Sequence, residues 1–183
     1  MTKWTKSAVA ATVLALATST GASAAPTQGT LGATSTGSIN ISATVPGRVR
    51  ISGLSDVTLT PTDLSVDATN AQDVCVWSNT AGRKYNIKAS GSGAGGAFEL
   101  YDGSTYYPYT VAWNATGAGK ASGTALAAGT ALASLSSAAT SSDCAAGASK
   151  SATLFVSVAS PTLQTMTANS AATGTLTLLV APE

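Results

Sequence analysis

The stretch Leu31-Gly-Ala-Thr-Ser-Thr-Gly-Ser-Ile-Asn-Ile-Ser-Ala-Thr-Val45 decides how this chain is read. Every second residue from Leu31 gives Leu31, Ala33, Ser35, Gly37, Ile39, Ile41, Ala43 and Val45; the residues between are Gly, Thr, Ser and Asn. A period of two, sharpest from Ile39, predicts an extended strand with one apolar and one polar face. Thr, Ser and Gly are poor helix formers, and no helical stripe competes. Pro46-Gly47 then breaks the pattern as a hinge, because proline cannot donate within a ladder.

Upstream, Lys3 and Lys6 precede the apolar run at residues 8–17, and Ala22-Ser23-Ala24 follows. A positive start, a short apolar middle and a small-x-small site predict an export leader over residues 1–24. The run falls short of the roughly 20 residues needed to span a bilayer. Residues 25–183 remain, 183 − 24 = 159, enough for a single domain. Without the two leader lysines the charges are 9 − 2 = 7 basic against 8 acidic, leaving no basic footprint for nucleic acid or anionic lipid.

Charged residues are only 9% of the chain and His is absent. Bulky side chains are few, so the core is thin and needs a staple. Cys75 and Cys144 supply one: an even pair in an exported domain predicts a disulfide, whereas two sulfurs without His make a poor metal site.

Downstream of the hinge, strands are predicted at residues 49–52, 54–60, 74–77, 85–90, 98–101, 107–113, 154–158 and 176–180. Residues 63–73 and 161–170 read as loops. The turn at residues 78–82 reads as a hairpin joining 74–77 to 85–90, with Lys88 outward, and Asp102-Gly103 marks a second hairpin. Between 120 and 148 the low-complexity sequence leaves short helix and edge strand both open for Leu126, Leu132 and Leu135. About eight short strands separated by turn residues predict an all-β antiparallel sandwich.

Chemistry is sparse. Without His, no Ser or Cys has its usual base. Asp56, Asp63, Asp67, Asp73, Asp102 and Asp143 fall mostly in predicted turns, where aspartate bonds the local backbone, so neither a catalytic carboxylate pair nor a calcium loop is expected. No cofactor is called for, and the chain reads as a non-enzyme. Tyr106, Tyr107, Tyr109 and Trp113, with Tyr101 nearby, form the one candidate ligand surface, an aromatic platform for carbohydrate.

Taken in order, the leader, Gln28-Gly29-Thr30-Leu31, the alternating stretch, Arg48-Val49-Arg50-Ile51-Ser52-Gly53-Leu54, Cys75, Cys144 and Gly174-Thr175-Leu176-Thr177-Leu178-Leu179-Val180 make a familiar series. The chain resembles the major subunits of bacterial chaperone–usher pili, of the archaic kind related to spore coat protein U-like domains. It departs from many of them in having no aromatic near its C-terminus. The resemblance implies an incomplete immunoglobulin-like sandwich that is completed by a donated strand. It implies that residues 25–47 are the donor extension and 48–183 the sandwich, with Leu31, Ile39, Ile41, Ala43 and Val45 as donor residues. Val49, Ile51, Leu176, Leu178 and Val180 would flank the groove, and the C-terminal carboxylate of Glu183 would be the chaperone's grip. Implied partners are a periplasmic chaperone, an outer-membrane usher and further copies of the chain; the implied destination is a surface fimbria reached through the periplasm.

Overall fold

The computed structural model describes residues 25–145, 149–168 and 171–183. The expected leader at residues 1–24 lies outside the described residues. The chain divides into two compact units, Met1–Val45 and Pro46–Glu183.

Among the described residues of the first unit, the alternating stretch forms no ladder. Its backbone pairing with them is the isolated bridge of Thr27 to Ser38, with two N–H···O bonds of 3.0 Å. Leu31, Ile39, Ile41 and Val45 are exposed. Alternation prescribes faces, whereas a ladder needs a neighbouring strand.

Among its described residues the second unit holds ten strands. They are β1 (Val49–Ser52), β2 (Ala68–Ser78), β3 (Lys84–Gly91), β4 (Glu99–Tyr101), β5 (Tyr106–Pro108), β6 (Thr110–Asn114), β7 (Thr124–Ala125), β8 (Ala131–Ser136), β9 (Ala152–Val158) and β10 (Leu176–Pro182), with a short α-helical turn, α1 (Ser160–Leu163), after β9 and 3-10 turns at Ala81–Arg83 and Ala94–Gly96. One sheet runs β1-β2-β9-β6-β7, a second runs β10-β3-β8, and β4-β5 is a ribbon. All pairings are antiparallel. Val74 and Val76 of β2, Val111 and Trp113 of β6, and Leu154 and Val158 of β9 share one core with Tyr85, Ile87 and Ala89 of β3. This is an all-β antiparallel sandwich, and burial of every second residue on β3 and β6 follows from the two-residue period.

Several expectations are corrected. Residues 68–73, read as loop, are the first half of β2, because β9 supplies a full ladder to those polar residues. Residues 74–77 and 85–90 form no hairpin: β2 and β3 belong to opposite sheets. Gly82 (φ 68°) and Arg83 (φ 53°) turn the chain between them, and Ser78 Oγ and Thr80 Oγ1 donate to the Lys84 carbonyl at 2.9 and 2.7 Å. The single strand expected at 107–113 is broken after Pro108, with β5 pairing to β4 and β6 to β9. Of the options open for residues 120–148, edge strands β7 and β8 are realised. Residues 54–60, read as a strand, lie in no ladder, because Gly53 at φ 81° turns the chain away from β2 before them.

Candidate functional site

Cys75 and Cys144 are disulfide-bonded, with Cα atoms 6.4 Å apart. They tie β2 to the loop after β8, and Arg50 Nη1 donates to the Ser142 carbonyl of that loop at 3.1 Å.

Further along β2 and β9 the sandwich opens. An apolar groove of about 820 Å³ reaches the core residues Leu154, Val156 and Val158 of β9 and Tyr109. One wall is the extended segment at residues 55–61, in which Val57, Leu59 and Pro61 are half-buried while Thr58 and Thr60 are exposed. The other wall is β10, through Leu176 and Leu178. Leu163 of α1 and Met166 also line the groove. Among the described residues β10 is an edge strand, paired on its β3 side. Among the described residues, the backbone of residues 56–60 makes no hydrogen bond. An apolar trough beside a half-used ladder is a template for one more strand, which would satisfy both the side chains and the backbone edge.

The expected groove residues divide. Leu176 and Leu178 line the trough. Val49, Ile51 and Val180 do not: they pack partly buried against the core, β1 being held by its ladder to β2. The wall facing β10 is therefore 55–61, where β1 was expected. Sequence reasoning missed that wall and the floor at Leu154 and Val156; the alternation Val57, Leu59, Pro61 was the signal that could have found the wall. Glu183 is exposed; its N–H donates to the Lys84 carbonyl at 3.2 Å and its Oε2 accepts from Ser134 N–H at 2.6 Å.

The aromatic platform is not a single surface. Trp113 is 1% exposed, and its Nε1 donates to the Tyr85 hydroxyl at 3.0 Å inside the core. Tyr109 is buried under the groove, with its ring 5.6 Å from that of Phe98. Tyr107 is buried too, and its hydroxyl donates to Asp102 Oδ2 at 2.9 Å. Only Tyr106 stays exposed, stacked on exposed Tyr101 with centroids 4.5 Å apart. A shallow hollow beside that pair is lined by Glu99, Ser92 and residues 173–175.

The turn acids act locally. Asp102 accepts from the backbone N–H of Thr105 and Ser104 at 2.8 and 2.9 Å. Those bonds hold its carboxyl down at about 2. Asp73 is lowered by the Gly119 N–H and the Thr153 hydroxyl. Asp63 is lowered by Ser65. Among the described residues no three of His, Cys, Asp and Glu are grouped to hold a metal. Among the same residues no helix is long and apolar enough to cross a membrane.

No family model and no curated protein matches the chain. A solved structure described as a chaperone–tip adhesin complex vital for synergistic activation of CFA/I fimbriae biogenesis aligns at 17% identity with a TM-score of 0.49. The alignment covers 74% of this chain and 41% of that one, so the chain matches less than half of that protein's length.

Proposed function

We propose that the chain is a structural subunit of a surface pilus that polymerises by donor-strand exchange and so supports adhesion and biofilm formation. The observation that carries this reading is the open apolar groove along the free edge of β10. The donor is the alternating stretch: Ile39, Ile41, Ala43 and Val45 of one copy enter the groove of the next. Ile39, Ile41 and Val45 are 73%, 86% and 77% exposed, apolar surface in need of cover.

Each Ile or Val fully buried would contribute roughly 1.5–3 kcal/mol, and ladder hydrogen bonds would add to it. Donor and groove are different surfaces, so the contact is head-to-tail and propagates a filament. Before assembly an exposed trough of this kind would aggregate, which is the role left for a periplasmic chaperone lending its own strand. The outer-membrane usher would then exchange that strand for a subunit's. The stacked Tyr101–Tyr106 pair favours a second reading, a secreted carbohydrate-binding sandwich or adhesin module.

The full chain should form concentration-dependent ladders that resist heat and detergent on a gel, while a chain lacking residues 25–45 stays monomeric. Ile41→Asp should abolish the ladders, since an unpaired carboxylate cannot enter an apolar trough. Intact protein that stays monomeric at high concentration with no chaperone present would overturn the pilus reading. Normal fibres from Ile41→Asp would show that another residue is the donor.

A further inference from the structure

The groove exists because β1 stops pairing with β2, and the register shows where. Ser52 is the last paired residue, opposite Cys75. Three residues further on, the same register would set Ser55 opposite Gln72. The ladder does not continue, because Gly53 adopts φ 81°, a left-handed conformation that bends the chain out of the sheet. Beyond the bend Ser55 is tied to β2 by a side chain. Gln72 Oε1 accepts from Ser55 N–H at 2.8 Å, and Gln72 Nε2 donates to the Ser55 carbonyl at 3.1 Å.

A carboxamide that accepts from an N–H and donates to the C=O of one residue offers what the peptide group of a neighbouring strand would offer. At the other end of β1, Asn79 makes a similar pair of bonds, accepting from Arg48 N–H at 2.6 Å and donating to the Pro46 carbonyl at 2.9 Å. There a backbone bond from Asn79 N–H to the Arg48 carbonyl accompanies the side chain. At Ser55 the carboxamide acts alone. The backbone of Gln72 is meanwhile fixed in the sheet, paired with Leu154 of β9 on the groove floor.

We propose that Gln72 is a positioning residue for the acceptor groove: its carboxamide stands in for the missing ladder and holds the 55–61 wall at the spacing an incoming strand needs. This rests on the donor-strand reading above. The wall is anchored at its start by Gln72, and the backbone of residues 56–60 is left for the partner. A wall zipped directly onto β2 would narrow the trough, and an untethered one would have no fixed position from which to pair.

The test uses the full chain exported to a bacterial periplasm as wild type, Gln72→Leu and Gln72→Glu. Hydrogen–deuterium exchange at residues 55–60 is read on freshly diluted monomer, and assembly is followed as ladder formation over time. Gln72→Leu should speed exchange at Ser55 and slow assembly about tenfold, the scale of two lost hydrogen bonds. Gln72→Glu keeps the acceptor for Ser55 N–H and loses the donor, so its effects should lie between, and it decides the matter if Gln72→Leu does not fold. Unchanged exchange at Ser55 would overturn the tether. Faster exchange with wild-type assembly would overturn its role in acceptance. A wild-type chain that never assembles would sink the donor-strand reading, and the proposed role in acceptance with it; the Ser55 exchange result would then still report on the tether alone.

Discussion

The two ends of β2 face opposite circumstances. At its C-terminal end every layer is sealed. Cys75, Cys144 and Ala139 form a small buried cluster with Trp77 against it. Val76 N–H donates to Ser151 Oγ at 2.8 Å, and its carbonyl accepts from the hydroxyls of Ser151 and Ser137. Among the described residues no buried side-chain N or O atom lacks a hydrogen-bond partner. At its N-terminal end the same sandwich is open, with Leu154 and Val156 of β9 lining the trough and one glutamine carboxamide where a ladder would run. The contrast is chemical as well as geometric. The sealed end is built from Ser, Thr and Cys, whose short polar side chains close on nearby backbone; the open end sets Leu, Val, Pro and Met among Ser and Thr, and those apolar side chains are satisfied by another apolar surface. A chain with so few bulky residues relies on the closed end for stability, and under the donor-strand proposal the open end is the one that accepts a strand.

The sharpest way to break that contrast is at the closed end. Replacing Cys75 and Cys144 together by Ser opens a covalent loop spanning 69 positions and should cost about 4 kcal/mol of stability in the chain-entropy model. Urea unfolding should show the midpoint falling, with donor-strand assembly retained at low temperature by whatever fraction stays folded. A loss well under 1 kcal/mol would mean that the serine network, and not the disulfide, seals this end. Trp113→Phe comes next. Trp113 belongs to β6 and Tyr85 to β3, so the 3.0 Å bond between them pins one sheet to the other. Removing the donor leaves a buried hydroxyl short of a partner and should cost about 1–3 kcal/mol. Thermal unfolding followed by circular dichroism would read it, and a neutral result would show that packing alone holds the sheets together there.

The closed end was the more legible in the sequence. Two cysteines in a chain that reads as exported predict their own bridge, and the alternation of Tyr85, Ile87 and Ala89 predicts β3 with Lys88 outward, as found. The last strand and the Asp102-Gly103 hairpin were legible for similar local reasons. What failed was non-local. The polar residues 68–73 join β2 because β9 lies beside them, and the turn at 78–82 sends the chain to the other sheet because of two hydroxyls and a left-handed Arg83. Tyr109 and Trp113 alternate as a surface strand would, yet both face the core. Residues 54–60 have a strand's pattern without a strand's partner. Pattern names the face that wants burial, and the groove is where no described residue of the sandwich supplies that burial.

The smallest effect expected is the one that reads the groove most directly. Burial pushes the Tyr85 phenol up to about 12, the bond from Trp113 working slightly the other way, and burial raises Tyr109 as well. In the unfolded chain both ionise near the ordinary tyrosine value of about 10. Between that value and the folded one, the unfolded state gives up protons that the native state keeps. This part of the stability is therefore complete below about pH 10 and declines as the pH rises toward 12. Both ends share that sign, but they should respond differently to assembly. A strand laid into the trough removes further water from Tyr109, on its floor, and leaves Tyr85 between the sheets as it was. Tyrosinate absorbance titrated in monomer and in fibre, with Tyr109→Phe to assign the curves, should therefore show the Tyr109 step moving to higher pH on assembly while the Tyr85 step stays in place. Identical Tyr109 curves in the two states would mean that the incoming strand does not lie over Leu154 and Val156, and that the trough is filled, if at all, by something else.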